Sequence, residues 1–416
     1  MTGRAPLRVA MVMERFPNEP FLARQVAALL KRSVDVHVLC QVHDRTSAAW
    51  ALLDDVDMTG RIHPWPDRGK PLSLAATAGR TMAAALVRNR SGLLSAMRAE
   101  RQSGGGRDAV GRMLFDARVL AINPDVVHFQ FGDLARNRIH LTNALDVAMT
   151  SSFRGYDLAY AGLDQPGFYD RLWPALHGAH TLGNDLRQRA VERGCPPEMA
   201  WTLIAPAIDP ASFQAANRQP GAGANGGPVR IVSVGRLHWK KGLPDGLAAI
   251  AELVAEGHQV VYRIVGDGPA MEQVRWTIDD LGLGDRVELV GASGPSEVQN
   301  HLAWADIFLH PALTEGFANA VLEAQAMGLP VVCTDAEGLP ENVAHERTGL
   351  VVPRRRPDLL VKALGSLVAD EELRLAMGEQ GRARVVNLFD LDAQTDAFID
   401  FFERAVVTAS AADRTL

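Results

Sequence analysis

Apolar residues along the chain alternate between two kinds of run. In short segments such as RVAMVM (8–13) and VDVHVLC (34–40), nearly every residue is apolar, whereas EPFLARQVAALLKR (19–32) between them has helical spacing. A strand apolar on both faces must be covered on both faces, as in a parallel sheet flanked by helices. Further strands are predicted at DVVHFQ (125–130), DVAMTSS (146–152) and TLIAP (202–206). At 214–228 the chain reads QAANRQPGAGANGGP, with no apolar period, and is read as a linker or exposed loop. The alternation then restarts with VRIVSVG, QVVYRIVGDGP, DRVELVG, ADIFLHP, LPVVCTD and TGLVVP. The pattern predicts an α/β protein of two Rossmann-like doubly wound parallel-sheet domains, at 1–218 and 229–392. They are joined by a linker at 219–228, and a closing helix at 393–416 is placed to pack back on the first domain. Sheets of this kind bind ligands beyond the carboxyl ends of their strands, and two facing sheets make a cleft.

Composition narrows the function classes. A length of 416 residues suits two domains rather than one core. A net charge of -6 argues against nucleic acid as the main partner, because phosphate backbones demand a basic face. Three cysteines, Cys40, Cys195 and Cys333, lie far apart and in no metal-ligand spacing, which suits a reducing compartment. The first apolar run is cut by Glu14 and Arg15, so it reads as a buried strand rather than a signal peptide. No uncharged apolar run reaches the roughly 18 residues that span a bilayer. A cytoplasmic protein is expected.

Two motifs are false leads. GAGANG (221–226) fits G-x-G-x-x-G, but it follows a polar stretch and precedes a strand, the reverse of the order a dinucleotide fingerprint needs. Asp55-Val56-Asp57 has the spacing of a cation-holding acidic pair, yet Asp54 beside it marks a solvated acidic turn. The twelve histidines show no ligand spacing, and no metal site is predicted.

Two other stretches carry chemistry. In VSVGRLHWKKGLPDGL, a strand leads through Gly235 and Arg236 to Lys240, Lys241 and Gly242 before a helix. An arginine fork and a lysine point charge at a strand's carboxyl end stand where a diphosphate would lie. In TEGFANAVLEAQAMGLPVV, Glu315-Gly316-Phe317 reads as a turn and ANAVLEAQAM as a helix ended by Gly328. The first N–H groups of that helix, near 317–321, would form an anion site. Glu315 and Glu323 do not suit the acid and base of a glycosidase, whose carboxylates stand about 5–9.5 Å apart. Eight residues of helix separate two backbones by roughly 12 Å, so the pair fits two parts of one long ligand such as a sugar nucleotide. The alternative is that Glu315 caps the helix while Glu323 is a solvated helix residue.

Together these blocks resemble the retaining glycosyltransferases of the large GT-B class, the glycosyl transferases group 1 marked by Glu, seven residues, Glu. VGRLHWKKG, VGDGP, LHPALTEGFANAVLEAQAMGLPVVCTD, GLPENV and TGLVVP come in that family's order. The first domain is similar to exopolysaccharide enzymes of the colanic-acid type in FPNEPFLARQVAAL, NPDVVHFQFG, SFRGYDLAY and RGCPPEMAWTLIAPAIDPASF. The resemblance implies transfer of a sugar, with retention and without a metal, from a UDP- or GDP-linked donor to a glycan or lipid-linked acceptor in exopolysaccharide or cell-envelope biosynthesis. It implies no cofactor beyond the nucleotide-sugar co-substrate. By the same resemblance Arg236 and Lys241 bind the donor diphosphate, with Gly235 and Gly266 beside them, and Glu323 holds the ribose. Glu315, Gly316 and the backbone of Phe317, Ala318, Asn319, Ala320 and Val321 face the donor sugar and phosphates. Glu315, Arg236 and Lys241 are the candidate catalytic residues, and His128, Arg154 and Asp157 lie on the acceptor side. The sequence departs from the family at two places: Arg154 stands where many relatives have His, and RFPNEPF replaces the Gly-Gly loop after the first strand.

Between residues 79 and 118 eight arginines face three acids, within runs such as LAATAGRTMAAALVRNRSGLLSAM. The segment reads either as a basic amphipathic surface for an anionic leaflet or as a solvated helix face. Two other functions fit two such sheets: a two-lobed sugar- or nucleotide-binding protein without transfer, and a sugar phosphorylase.

Overall fold

A computed structural model describes residues 5–17, 19–65, 71–102, 109–144, 147–213 and 227–412. The chain divides into two compact units, Met1–Thr181 with Leu186–Ile204 and Thr395–Leu416, and Leu182–Asp185 with Ala205–Gln394. GAGANG, and the expected linker as far as residue 226, lie outside the described residues.

The first unit is built on seven strands: β1 (Arg8–Phe16), β2 (Asp35–His43), β3 (Ile62–Pro64), β4 (Val126–Phe129), β5 (Ala148–Phe153), β6 (Gly178–Thr181) and β7 (Trp201–Leu203). They pair in parallel in the order β3-β2-β1-β4-β5-β6-β7. The order reverses between β1 and β4, where open sheets of this type place a ligand crevice. β3 and β6 were not expected: each is short, and GAHT has only Thr181 to announce a strand. The helix Pro20–Lys31 opens on a proline, whose missing N–H costs nothing in a first turn, and buries Leu22, Val26 and Leu29 against Val9, Met11, Val36 and Val38. Phe398, Phe401 and Phe402 of the helix Leu391–Ala412 enter the same core.

That core corrects one site expectation. His128, expected on the acceptor side, is fully buried on β4 with its ring 5.2 Å from that of Phe402. Burial pushes the His128 and His180 pKa values down, His180 to about 3, so both rings are neutral. Nε2–H of His180 donates to the carbonyl of Ile204 at 2.9 Å, leaving its Nδ1 to accept from Ser152 at 2.8 Å. The Ser152 hydroxyl then accepts from Nε2–H of His128 at 3.0 Å, and Thr150 donates to the remaining His128 nitrogen at 2.9 Å. Both nitrogens of His128 are thus spent on a polar chain through the sheet, which is how a buried imidazole avoids an unpaired group.

The second unit carries β8 (Val229–Val234), β9 (Val260–Val265), β10 (Val287–Gly291), β11 (Ile307–His310), β12 (Val331–Thr334) and β13 (Gly349–Val352). All pair in parallel in the order β10-β9-β8-β11-β12-β13, reversing between β8 and β11. Ile231, Tyr262, Ile264, Ile307, Leu309 and Val332 pack under the helices Leu243–Ala255 and Pro357–Ala369. At the amino edge, Arg230 is tied to Asp306 by contacts of 2.9–3.2 Å. The opposite, carboxyl edge holds the loops that matter for function.

Candidate functional site in the second unit

Glycines draw the loops after β8 and β9 together. The backbone of Gly266, at φ 141°, runs so close that a Cβ there would stand 1.9 Å from the carbonyl oxygen of Gly235. Gly235 N–H donates to Val265 and Leu237 N–H to Asp267, so the two loops share a short ladder. Buried Leu237 anchors the first loop, while Arg236 beside it is exposed. A 3-10 turn at Trp239–Lys241 follows, capped by His238, and Gly242 in the left-handed region (φ 59°) starts the next helix. A Cβ on Gly242 would meet the carbonyl of Pro311 at 2.0 Å, which presses this turn against the loop after β11.

That contact brings Lys241 to Glu315. The Lys241 ammonium is ion-paired with the Glu315 carboxylate, and His310, at the end of β11, lies 3.3 Å from the same oxygen. A small cavity is lined by Gly235, Arg236, Lys241, His310 and Pro311. Burial would raise the Glu315 pKa, but the Lys241 charge and the His310 ring outweigh it and hold the carboxyl at about 2. Burial and Lys241 together lower the His310 pKa. Glu315 therefore faces the site as a carboxylate, neither a helix cap nor a proton donor.

This shift has a pH signature. The Glu315 pKa is below its unfolded value of about 4.3, so its contribution to stability is complete above that pH and is lost as pH falls toward 2. Urea midpoints should therefore drop less steeply over that window in Glu315→Gln than in the wild type; equal slopes would remove the ion pair from the account.

The loop bearing Glu315 is fixed from below. Glu337 accepts from the backbone N–H of Glu315 at 2.7 Å and from Arg354 at 2.9 Å, and Gly338 N–H donates to the Glu315 carbonyl. Asn342 clasps Ala318, accepting its N–H at 3.0 Å and donating to its carbonyl at 3.3 Å. The helix Asn319–Ala326 then begins with no side-chain cap. Of the N–H groups expected to be open, that of Ala318 is taken by Asn342 and that of Val321 by the Ala318 carbonyl. Those of Gly316, Phe317, Asn319 and Ala320 have no partner among the described residues. Oδ1 of Asn319 is buried and equally unpartnered there. The Phe317 side chain points inward, 5.7 Å from the Phe389 ring, so only its backbone is available. Glu323 is half-buried one turn beyond Asn319.

The structure thus groups Gly235, Arg236, Lys241, Gly266 and Glu315 around the loops after β8, β9 and β11. His310, Glu337 and Asn342 join them and were not singled out in the sequence. The strand-terminal polar residue in FLHP was the only local signal for His310. In the first unit, Asp157 is buried, accepting from the N–H groups of Gly132 at 2.6 Å and Arg154 at 2.8 Å. Burial, opposing these donors, raises its pKa to about 7. Asp157 shapes the loops around Arg154 and does not present its carboxyl to solvent. The Asp55–Asp57 turn is a local one, with Asp57 accepting from Thr59 N–H at 2.9 Å.

Comparison with known proteins bears on the same segment. Residues 216–384 match the family model described as glycosyl transferases group 1. The chain is 27% identical over 395 residues, 91% of its length and 93% of the relative's, to the amylovoran biosynthesis glycosyltransferase AmsK of Erwinia amylovora. It is 27% identical to the putative colanic acid biosynthesis glycosyltransferase WcaL of Escherichia coli, covering 86% of this chain and 90% of that one. Anabaena HepE, solved with UDP-glucose, superposes with a TM-score of 0.69 at 14% identity over 97% of this chain and 100% of that one, a likeness of fold. Two parallel doubly wound sheets of the GT-B fold, a family match spanning the loops that carry Arg236, Lys241, Glu315 and Glu323, and relatives aligned along most of the chain identify residues 216–384 of this protein as a glycosyl transferases group 1 segment.

Proposed function

We propose that the chain transfers a sugar, with retention at the anomeric carbon, from a UDP- or GDP-linked donor to a hydroxyl of a glycan or lipid-linked saccharide in exopolysaccharide or cell-envelope assembly. The observation that carries this reading is the convergence of Arg236, Lys241 and Glu315 beside the open N–H groups of Gly316, Phe317, Asn319 and Ala320. Two cations and a helix start suit a diphosphate, and an anchored carboxylate with an unpartnered amide oxygen suits sugar hydroxyls. In this reading Arg236 and Lys241 hold the diphosphate, Glu323 the ribose hydroxyls, and Glu315 and Asn319 the donor sugar. The bond from the anomeric carbon to the diphosphate breaks with its electron pair on the leaving oxygen, where these charges stabilise it. The acceptor oxygen bonds to the same face, and its proton passes to the departing phosphate. No metal is required, because protein charges meet the diphosphate. The polysaccharide setting is supported by the names of the amylovoran and colanic-acid relatives.

The experiment is a panel of UDP- and GDP-sugars assayed for binding, hydrolysis and transfer. Transfer supports the proposal. Binding without turnover would instead make this a two-lobed binding protein, and consumption of inorganic phosphate a phosphorylase.

The place of action is proposed as the cytoplasmic face of the membrane. No helix among the described residues is long and apolar enough to cross a bilayer. In the helices Pro71–Arg88 and Arg90–Gln102, Arg80, Arg88, Arg90, Arg98 and Arg101 are exposed, interleaved with exposed Leu86, Val87 and Leu94. Among the described residues the basic surface is smaller than the sequence suggested, because Arg112 pairs with Glu100 and Arg118 turns toward His63. At about 1 kcal/mol per cation near an anionic surface, the remaining arginines suffice for peripheral docking. Co-sedimentation should rise when phosphatidylglycerol is added to neutral vesicles; equal binding to both would reject docking.

A further inference from the structure

Arg154 stands at the carboxyl edge of the first sheet, directly after β5, beside the β1–β4 reversal where sheets of this type receive ligands. Its guanidinium is held in a fixed pose: Nη2–H donates to the side-chain oxygen of Gln130 at 2.9 Å, and Nε–H to the Gln130 carbonyl at 3.3 Å. The plane lies over the Phe21 ring, 4.5 Å from its centroid, with Phe131 at 5.9 Å. Gln130 is itself tied to Gln25 at 3.1 Å, and Nε2 of Gln25 is a buried donor without a partner among the described residues. Two aromatic rings and two amides thus orient the arginine, and all are neutral.

The missing element is a counter-charge in contact, since Asp157 and Glu19 act on Arg154 only from beyond ion-pairing distance. No carboxylate lies within ion-pairing distance of Arg154 among the described residues. Asp157, three positions on, spends its oxygens on the backbone N–H groups of Gly132, Asp133 and Arg154 itself. Burial lowers the Arg154 pKa only to about 10, so the group remains a cation at neutral pH. A half-buried cation of fixed geometry with no anion in direct contact is costly to maintain, and a ligand carrying the opposite charge would offset that cost.

We infer that Arg154, oriented by Gln130 and Phe21, is an anion-binding subsite of the first unit that takes a phosphate or carboxylate group of a substrate. The inference rests on the proposed transferase reading for the identity of those substrates. Two sources share the chemistry: the diphosphate of the donor, and an acidic group on the acceptor, such as a sugar phosphate or a uronic acid.

The test measures binding to the full chain, wild type and Arg154→Gln, by calorimetry, with UDP and GDP as one set of probes and glucose 1-phosphate and D-glucuronate as the other. Arg154→Gln is expected to weaken one set by about tenfold or more, with Arg154→Lys recovering part of the loss. Loss confined to the nucleotides assigns the donor, and loss confined to the sugar anions assigns the acceptor. In parallel, the same anion should protect Arg154 of the wild type from phenylglyoxal, read by peptide mass spectrometry, which answers the question even if the variants fail to fold. Unchanged affinities in a folded Arg154→Gln chain, or equal labelling with and without every anion, would overturn the subsite. Failure of the wild type to turn over any sugar nucleotide would overturn the transferase reading instead, leaving the protection result to stand by itself.

Discussion

Lys241→Ala is expected to lower turnover by about 100- to 1,000-fold, the usual loss when one preorganised charge facing a leaving group is removed. The same substitution should also destabilise the fold. Lys241 is the ion-pair partner of Glu315, whose side chain is 16% exposed, and removing one member of a buried pair leaves the other charge uncompensated. About 3 kcal/mol is expected at this partly screened site, read as a shift of the urea midpoint. The two losses have separate causes, and a second substitution separates them. In Lys241→Met with Glu315→Gln no orphan carboxylate remains, so stability should largely return while turnover stays low. A single Lys241→Ala chain with near-normal initial rates on the sugar nucleotide used by the wild type would remove this lysine from the donor site. Recovery of turnover together with stability in the double variant would mean that its role is structural.

Gly266→Ala should be nearly as damaging, through the backbone alone. The added methyl would meet the Gly235 carbonyl oxygen at 1.9 Å, and φ of 141° is a conformation that side-chain-bearing residues rarely adopt. Neither contact is with a flexible side chain that can swing away. Strain and overpacking together are expected to cost about 2–4 kcal/mol. The loop carrying Gly235 and Arg236 must move to relieve the clash, so turnover should fall below detection even where the chain still folds. Gly284→Ala is the matched control, since a methyl there meets nothing within 4 Å, and its midpoint should stay within about 0.5 kcal/mol of the wild type. Equal midpoints for Gly266→Ala and Gly284→Ala would show that the two loops are not in the close approach described.

Much of this architecture was legible in the sequence because strands buried on both faces leave continuous apolar runs. RVAMVM, VDVHVLC and VRIVSV announce β1, β2 and β8 with no tertiary information. β6 was missed because Gly178, Ala179, His180 and Thr181 carry little apolar signal; Phe398 and Phe401, which pack against Gly178 and His180, lie on a helix distant in sequence. The site divides in the same way. Arg236, Lys241, Gly266 and Glu315 sit at strand ends in recognisable blocks, and their chemistry can be read locally. His310, Glu337 and Asn342 act by reaching across to another loop, and such pairings leave no periodicity. His128 misled for a related reason: a histidine late in a strand looks like a ligand until its neighbours on β5 and β6 are known. Free backbone N–H groups are a subtler case, since only the structure shows that Asn342 has claimed that of Ala318.

The central claim is that the cradle of Arg236, Lys241 and the start of the helix Asn319–Ala326 recognises a nucleoside diphosphate. Calorimetric titration of the wild type and Arg236→Ala with UDP, GDP and the corresponding nucleosides tests it most directly. The account predicts that one diphosphate binds the wild type, that its nucleoside binds far more weakly, and that Arg236→Ala loses about tenfold or more of the diphosphate affinity alone. Nucleoside and diphosphate binding equally well, or an Arg236→Ala chain with undiminished diphosphate affinity, would contradict it.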